Sequence, residues 1–216
     1  MKLKNQKNIF RHFPIAQNAT HWLVIALVLN VLLAMLFWWI GPLTHTNWGG
    51  DSFILLEGAY KVACGWIPHV DYYSPLGVFN FIVPALAIKF FGVTASILSI
   101  SFGCWILFLT AVALALFWTR LPIRFHSWLI ILVGIMASSS KQMDGISREV
   151  SYACSYNRYG EIILGIITLS VLIAPSAKTK IRVLQNVLCG VLISILLLLK
   201  VSFFCSCVSS ADGWFI

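Results

Sequence analysis

The residues of this chain that could do chemistry are a few charged and aromatic side chains in an otherwise apolar sequence. Asp51 follows a pair of glycines, and Asp71 lies in the run His69-Val70-Asp71-Tyr72-Tyr73. A carboxylate in either place could take the proton of an attacking hydroxyl group, which is the task of a general base. The rings of Tyr72 and Tyr73 offer faces on which a substrate could stack. Asp51 and Asp71 are therefore the candidate catalytic residues.

A second group of candidates lies between residues 138 and 158. Its cations are Lys141, Arg148 and Arg158, and Asp144 lies among them. Lysine and arginine bind phosphate oxygens through charge-assisted hydrogen bonds, and arginine can present two donors at once. The segment is therefore predicted to bind a phosphate group. Asp144 either shares that site or forms a simple turn in Met143-Asp144-Gly145.

The histidines and cysteines do not predict a metal site. His69 stands near Asp71, but two candidate ligands are too few to hold a divalent ion. The six cysteines show neither the pairing of a disulfide framework nor a zinc spacing. We therefore predict no cofactor, because nothing in the sequence supports a divalent metal.

The composition places these candidates in a membrane protein. Of the 216 residues, 60% are hydrophobic and 10% are charged, and the mean hydropathy of +0.90 is far above that of an average soluble domain. Lys and Arg outnumber Asp and Glu by 15 to 7. These basic residues lie in short segments between apolar runs, a distribution typical of cytoplasmic loops. The predicted partner is the lipid bilayer, and no nucleic acid is predicted.

Apolar runs predict an all-α fold, a polytopic bundle of about five membrane spans that forms one unit over residues 1–216. Residues 21–40 are about twenty nearly continuous apolar residues, enough to cross ~30 Å of hydrocarbon. The other predicted spans are residues 94–118, 127–137, 159–174 and 183–204.

Charge predicts how the spans are oriented. Residues 1–21 form a basic tail without an acid, and the connections that contain Arg120 and Lys180 also lack acids. Basic segments stay in the cytoplasm, so the N-terminus is predicted to be cytoplasmic. The compact loops and the lack of appended domains favour a bacterial inner membrane; an endoplasmic reticulum membrane is the alternative. Residues 41–93 then form an extracytoplasmic loop. This orientation requires residues 76–92 to dip into the outer interface; a true crossing is the alternative.

The extracytoplasmic loop itself should contain interfacial helices. Phe53, Leu56, Tyr60, Cys64 and Ile67 recur at helical spacing and predict an amphipathic helix. The Gly and Pro of residues 65–68 should end this helix and begin an ordered turn ahead of a second apolar segment.

Residues 47–92 resemble the first extracytoplasmic loop of the GT-C superfamily of polytopic glycosyltransferases. The order and spacing that carry the resemblance are those of Asp51, Gly65-x-x-Pro68-x-x-Asp71, Tyr72-Tyr73, Pro75-Leu76 and Phe91-Gly92. The run Tyr156-Asn157-Arg158-Tyr159-Gly160 is also similar to the start of a later span in some proteins of this type. The resemblance implies that a sugar passes from a polyprenyl-phosphate donor to an acceptor hydroxyl at the extracytoplasmic face, with Asp51 as the base.

The resemblance covers most of residues 10–204, whereas members of this superfamily are usually at least twice as long. It therefore implies that the chain corresponds to the N-terminal part of such a transferase and is weakly active or inactive alone. Residues 205–216 have neither membrane character nor the periodicity of a domain, and we expect them to mark a truncation or a frameshift.

The acidic candidates also have simpler structural interpretations. Asp51 is well placed to cap a helix N-terminus, and Asp71 to cap a turn. Glu57 and Lys61, four residues apart, are predicted to form a surface ion pair.

Arg158 and the chain as a whole each have a second interpretation. Arg158 and Glu161 could form an interfacial pair, in which case Arg158 would not be committed to phosphate. The chain as a whole could be a non-catalytic polytopic membrane protein, such as a small transporter or an assembly subunit. A transporter should place charged residues or broken helices within its spans. Here the polar candidates gather on one face of the membrane, which favours chemistry at the surface.

Overall fold

The computed structural model describes residues 15–40, 49–139, 155–176 and 178–200. These ranges contain α-helices and no β-strand. The helices are α1 (Ile15–Ile40), α2 (Gly49–Ala63), α3 (Phe79–Phe91), α4 (Ile97–Phe117), α5 (Ile123–Ser138), α6 (Ser155–Leu172) and α7 (Thr179–Leu199). The predicted all-α class is confirmed for this part of the chain.

Three helices are long and apolar enough to cross a membrane. They are Ala19–Trp39 within α1, Ile97–Phe117 and Thr179–Leu199. Two further apolar helices, Phe79–Phe91 and Ile123–Ser138, are shorter. The predicted membrane character is confirmed at this level, while the count of about five spans stays a prediction.

Helix α4 lies at the centre of the bundle and contacts α1, α3, α5, α6 and α7. Its side chains Leu109, Leu116 and Phe117 are fully buried. Large apolar side chains on α1 and α7, among them Leu32 and Leu184, are instead exposed. Water would oppose this exposure, whereas lipid tails accept it. The outer surface of the bundle therefore suits a bilayer.

Contacts between helix termini define two opposite ends of the bundle. The indole nitrogen of Trp38, near the end of α1, donates to the carbonyl oxygen of Ile100, near the start of α4, at 3.0 Å. At the other end of α4, the imidazole Nε2 of His126 lies 2.9 Å from the carbonyl oxygen of Phe117. Helices α1, α4 and α5 therefore alternate in direction. We call the end that carries α2, residues 64–78 and Lys200 the loop end, and the end that carries Arg120 and Arg124 the basic end.

A buried amide fixes the register of three helices between these ends. Asn30 Nδ2 donates to Thr110 Oγ1 and to the carbonyl oxygen of Ile130, both at 2.9 Å. Gly134 on α5 leaves room for the Asn30 side chain, because a Cβ there would overlap Asn30 Oδ1. A polar group buried among apolar helices is costly unless it is paired. This arrangement therefore favours one alignment of α1 against α4 and α5.

Helix α2 packs against α3 through only part of the predicted apolar stripe, because Leu56 contacts the shared cluster of Ala59, Ala87 and Ile88. Ser52, Leu55 and Ala59 are buried, whereas Phe53 is 72% exposed and Tyr60 51% exposed. Small residues allow helices to approach closely, and that contact decides which face turns inward. Phe53 and Tyr60 consequently face away from the protein, which is the orientation expected of a helix at a membrane interface.

Helix α3 lies against the half of α4 nearest the loop end. The ring of Phe79 lies 5.7 Å from that of Trp105, while Ala87 and Ile88 pack together with Ile97. The two helices therefore run antiparallel. The 13 residues of α3 span only about 20 Å at 1.5 Å per residue, less than the ~30 Å of a hydrocarbon core.

Candidate functional site

The connection between α2 and α3 is an ordered turn closed by Asp71. Asp71 Oδ2 accepts a hydrogen bond of 2.7 Å from the backbone nitrogen of Ile67, and the backbone nitrogen of Asp71 donates to the Ile67 oxygen at 2.8 Å. His69, with φ of 66°, donates its backbone N–H to the Tyr72 oxygen at 2.8 Å. Asp71 thus has the structural role expected of a turn cap. Its side chain is also exposed, so the same carboxylate is accessible to a substrate.

The two adjacent tyrosines have different environments. Tyr72 is half-buried, its hydroxyl donates to the carbonyl oxygen of Gly58 at 3.2 Å, and Lys61 Nζ lies 4.8 Å from its ring centroid. Burial, and to a smaller extent the charge of Glu57, raises the pKa of the Tyr72 hydroxyl. Tyr73 is 88% exposed. Tyr72 therefore holds the turn against α2, and Tyr73 is the ring that a substrate could reach.

Both ion pairs considered from the sequence are present at the loop end. Lys61 Nζ lies 2.6 Å from Glu57 Oε1, and Arg158 Nη1 lies 3.0 Å from Glu161 Oε2. Both pairs are partly exposed, so each contributes little to stability and can exchange partners. Arg158 could therefore turn from Glu161 to a phosphate without unfolding the start of α6.

Asp51 is the third residue of α2, which begins at Gly49. It thus lies inside the first turn and does not precede the helix as an N-cap residue would; its side chain is outside the described set. Leu55, one turn further along α2, lines a cavity of about 20 Å³ together with Tyr159 of α6. Leu55 and the start of α6 therefore line one cavity, one turn along α2 from Asp51. Lys141, Asp144 and Arg148 lie outside the described residues.

An open groove of about 410 Å³ is lined by residues of the turn and of the end of α7. Apolar side chains make up most of its lining, and His69 and Lys200 add nitrogen atoms. Lys200 Nζ lies 3.5 Å from Asn157 Oδ1 and 5.6 Å from the centroid of the Tyr156 ring. The ammonium group is therefore held between the groove and the start of α6. The lining consists of His69, Pro75, Leu76, Gly77, Val78, Leu197, Leu198 and Lys200.

The end of α7 forms this groove by accepting hydrogen bonds from the turn. The carbonyl oxygen of Leu199 accepts from the backbone nitrogen of Gly77 at 3.2 Å and from Asn80 Nδ2 at 3.0 Å. A Cβ on Gly77 would overlap the carbonyl oxygen of Leu198. Glycine at this position is what allows the two backbones to approach each other.

Comparison with protein-family models, with curated proteins and with solved structures finds no match to this chain. The chemistry of the site must therefore be argued from its own residues. Within the described ranges, no group of three or more His, Cys, Asp or Glu side chains is placed to hold a metal ion.

The sequence singled out His69, Pro75 and Leu76 of the groove, but not Lys200 or the residues that join the groove to α7. Lys200 could have been found, because it is a lone cation at the end of an apolar run on the predicted extracytoplasmic side. Gly77 and Asn80 could not, because their partner Leu199 is more than a hundred residues away in the sequence.

Proposed function

We propose that this chain takes part in transferring a sugar from a polyprenyl-phosphate donor to an acceptor hydroxyl, in the manner of a GT-C glycosyltransferase. The observation that carries the proposal is the groove at the loop end, whose apolar walls end at Lys200 beside the turn of Asp71. An isoprenoid chain requires apolar surface, and its phosphate requires a cation. The groove offers both next to an exposed carboxylate.

The proposed orientation places the loop end outside the cytoplasm of a bacterial cell. Helices α1, α4, α5, α6 and α7 would then be the five crossings, with α3 dipping into the outer half of the membrane. The short α3 and its antiparallel packing on α4 support this arrangement. The cations of the basic end support a cytoplasmic position for that end.

In the proposed reaction, the Asp51 carboxylate takes the proton of the acceptor hydroxyl while the acceptor oxygen attacks the anomeric carbon. The bond between that carbon and the phosphate oxygen breaks, so polyprenyl phosphate leaves with the bonding electron pair. A single displacement of this kind inverts the anomeric carbon. Lys200 and Arg158 balance the charge that develops on the leaving phosphate, assisted by Lys141 and Arg148. Asp71 and Tyr73 contact the acceptor sugar.

Binding of polyprenyl phosphate tests whether the groove is the donor site. The purified chain in neutral detergent should bind polyprenyl phosphate more tightly than a polyprenol of the same length, because only the phosphate engages Lys200. Removing a charge-assisted hydrogen bond costs roughly 1.5 kcal/mol, or about tenfold in affinity. Lys200→Gln should therefore weaken binding of the phosphate about tenfold, and Lys89→Gln, an exposed cation on α3, should not.

Equal binding of the polyprenol and its phosphate would contradict the groove assignment and favour a non-catalytic membrane protein. The base is tested separately in membranes where sugar transfer is measured. Asp51→Asn should abolish transfer while the chain remains inserted, and retained transfer would remove Asp51 from the mechanism.

A further inference from the structure

The basic end of the bundle carries cations that no acid of the described residues balances. Residues 118–127 and 173–185 contain no Asp or Glu. The four described acids belong to α2, the turn and the first half of α6, on the loop end. Within the described residues, the two ion pairs are also at the loop end. We define the basic face as Arg120, Arg124, Lys178, Lys180 and Arg182.

Arg120 joins the two connections that supply these cations. Its Nε donates to Gln185 Oε1 at 2.9 Å, and its Nη1 donates to the carbonyl oxygen of Ser170 at 2.8 Å. Gln185 in turn donates through Nε2 to the carbonyl oxygen of Leu116 at 2.8 Å. The α4–α5 connection is thereby held against the end of α6 and the start of α7, so the basic residues share one surface.

Helix ends of both signs lie at this surface, because α4 and α6 end here while α5 and α7 begin here. Helices α5 and α7 both begin here, with Pro122 and Lys178 at their N-cap positions, and neither has a side-chain cap or an acid in its first turn. Helix N-termini carry partial positive charge and favour anions. The side-chain cations therefore repel one another and the N-termini of α5 and α7, and anions from outside the chain would relieve that repulsion.

Exposed aromatic residues lie beside these cations. Trp118, Phe125 and Trp128 are 59%, 53% and 72% exposed. Tryptophan is enriched where a protein meets the headgroup region of a bilayer, because its ring is amphipathic. The basic face thus lies at the depth of lipid headgroups, which favours a lipid phosphate over a free ion in solution.

We propose that the basic face binds anionic phospholipid headgroups, and that it prefers a lipid carrying two phosphates to a zwitterionic lipid. Arg124 lies in the first turn of α5, whereas Lys178 precedes α7 and Lys180 and Arg182 lie in the first turn of α7. A headgroup with two phosphates can contact both groups at once. Basic surfaces between transmembrane helices bind such headgroups in other membrane proteins. This proposal does not depend on sugar transfer.

Native mass spectrometry of the intact chain in neutral detergent tests whether the basic face binds anionic headgroups. The probes are cardiolipin and phosphatidylcholine. Cardiolipin should bind at least about tenfold more tightly. A basic residue near an anionic lipid surface contributes roughly fivefold in affinity, so Lys178→Gln/Lys180→Gln should weaken cardiolipin binding by about 20-fold. The matched control, Lys61→Gln/Lys89→Gln, removes the same charge from the loop end and should change binding less than about twofold.

Helical circular dichroism checks that both variants fold. If the basic-face variant loses its helical signal, the single variant Lys180→Gln is measured instead. Its affinity for cardiolipin should fall about fivefold. An equal loss in the control variant would overturn the proposal, because total charge would then explain the binding. Equal affinity for phosphatidylcholine, or displacement of cardiolipin by an equal concentration of inorganic phosphate, would overturn it as well.

Discussion

The two ends of this bundle handle charge differently. At the loop end, Lys61 pairs with Glu57, and Arg158 pairs with Glu161. At the basic end, the partners of Arg120 among the described residues are neutral groups, and the exposed cations around it face no acid of the described chain. The loop end therefore balances its own charge, while the basic end depends on anions that come from elsewhere. Among the described residues, nine cations and four acids leave an excess of five positive charges, and the five unbalanced cations are those of the basic face.

The two ends also differ in how they are built. The loop end is held by a close approach of two backbones, at Gly77 and Leu199. The basic end is held by long side chains, those of Arg120 and Gln185. A backbone contact cannot adapt to an added atom, whereas side chains can partly rearrange. Substitutions should therefore have a larger effect at the loop end.

The largest effect is expected for Gly77→Ala. The added methyl group would overlap the carbonyl oxygen of Leu198, so the turn must move away from α7 and lose its hydrogen bonds to Leu199. Overpacking of this kind costs about 2–3 kcal/mol. Thermal unfolding in detergent should show a clear fall in midpoint, and the variant should also bind polyprenyl phosphate less well because the groove is displaced.

The matched control is Gly190→Ala, on α7 itself. No atom lies within 4 Å of a Cβ at that position, and alanine has a higher helix propensity than glycine by about 1 kcal/mol. Gly190→Ala should therefore be neutral or slightly stabilising. If the two variants unfold alike, the close approach at Gly77 is not what holds the loop end.

A smaller effect is expected for Gln185→Leu at the basic end. Leucine fills a similar volume but leaves the Leu116 oxygen and Arg120 Nε without the partner that Gln185 gives them. A buried group that loses its partner costs roughly 1–2 kcal/mol. Unfolding in detergent should show this loss, whereas Asn186→Leu, the same kind of change on the exposed side of α7, should show almost none. An equal loss in both variants would mean that the Gln185 network does not stabilise the basic end.

The sequence predicted the apolar helices well but misplaced some of their ends. Residues 94–118 were predicted as a span, and α4 covers Ile97–Phe117. The third predicted span began at residue 127, yet α5 begins at Ile123 and includes Arg124 in its first turn. Hydrophobicity marks where a helix can be buried, whereas backbone hydrogen bonding continues into the polar interface. Charged residues therefore end an apolar run earlier than they end a helix.

The site was less predictable than the fold. Periodicity in α2 indicated a helix, but it could not show that the small side chain of Ala59 would pack against α3. Local turn chemistry did identify the structural role of Asp71, because the carboxylate and its partner Ile67 are four residues apart. Lys200 reaches the site only through tertiary packing. Contacts close in sequence can be inferred from residue types, and contacts between distant helices cannot.

The smallest expected effect is a loss of stability at alkaline pH that originates at the loop end, where Tyr72 lies. Burial, and then the charge of Glu57, raises the pKa of Tyr72, so the folded protein favours the neutral hydroxyl. A raised folded-state pKa contributes stability below the unfolded value of about 10, and that contribution is lost as the pH rises through the folded value. Tyr72→Phe removes the hydrogen bond to Gly58 and should cost less than about 1 kcal/mol at neutral pH.

Tyr72→Phe should also remove part of the stability loss at alkaline pH. The difference in free energy of unfolding between the unsubstituted protein and Tyr72→Phe should therefore shrink as the pH rises from about 7 to about 11. Thermal unfolding at both pH values measures it. Tyr73→Phe is the control, because the Tyr73 ring is 88% exposed. An alkaline loss that is unchanged in Tyr72→Phe would mean that Tyr72 does not hold the turn against α2. The stability of the loop end would then have to come from Gly77, Asn80 and their contact with α7 alone.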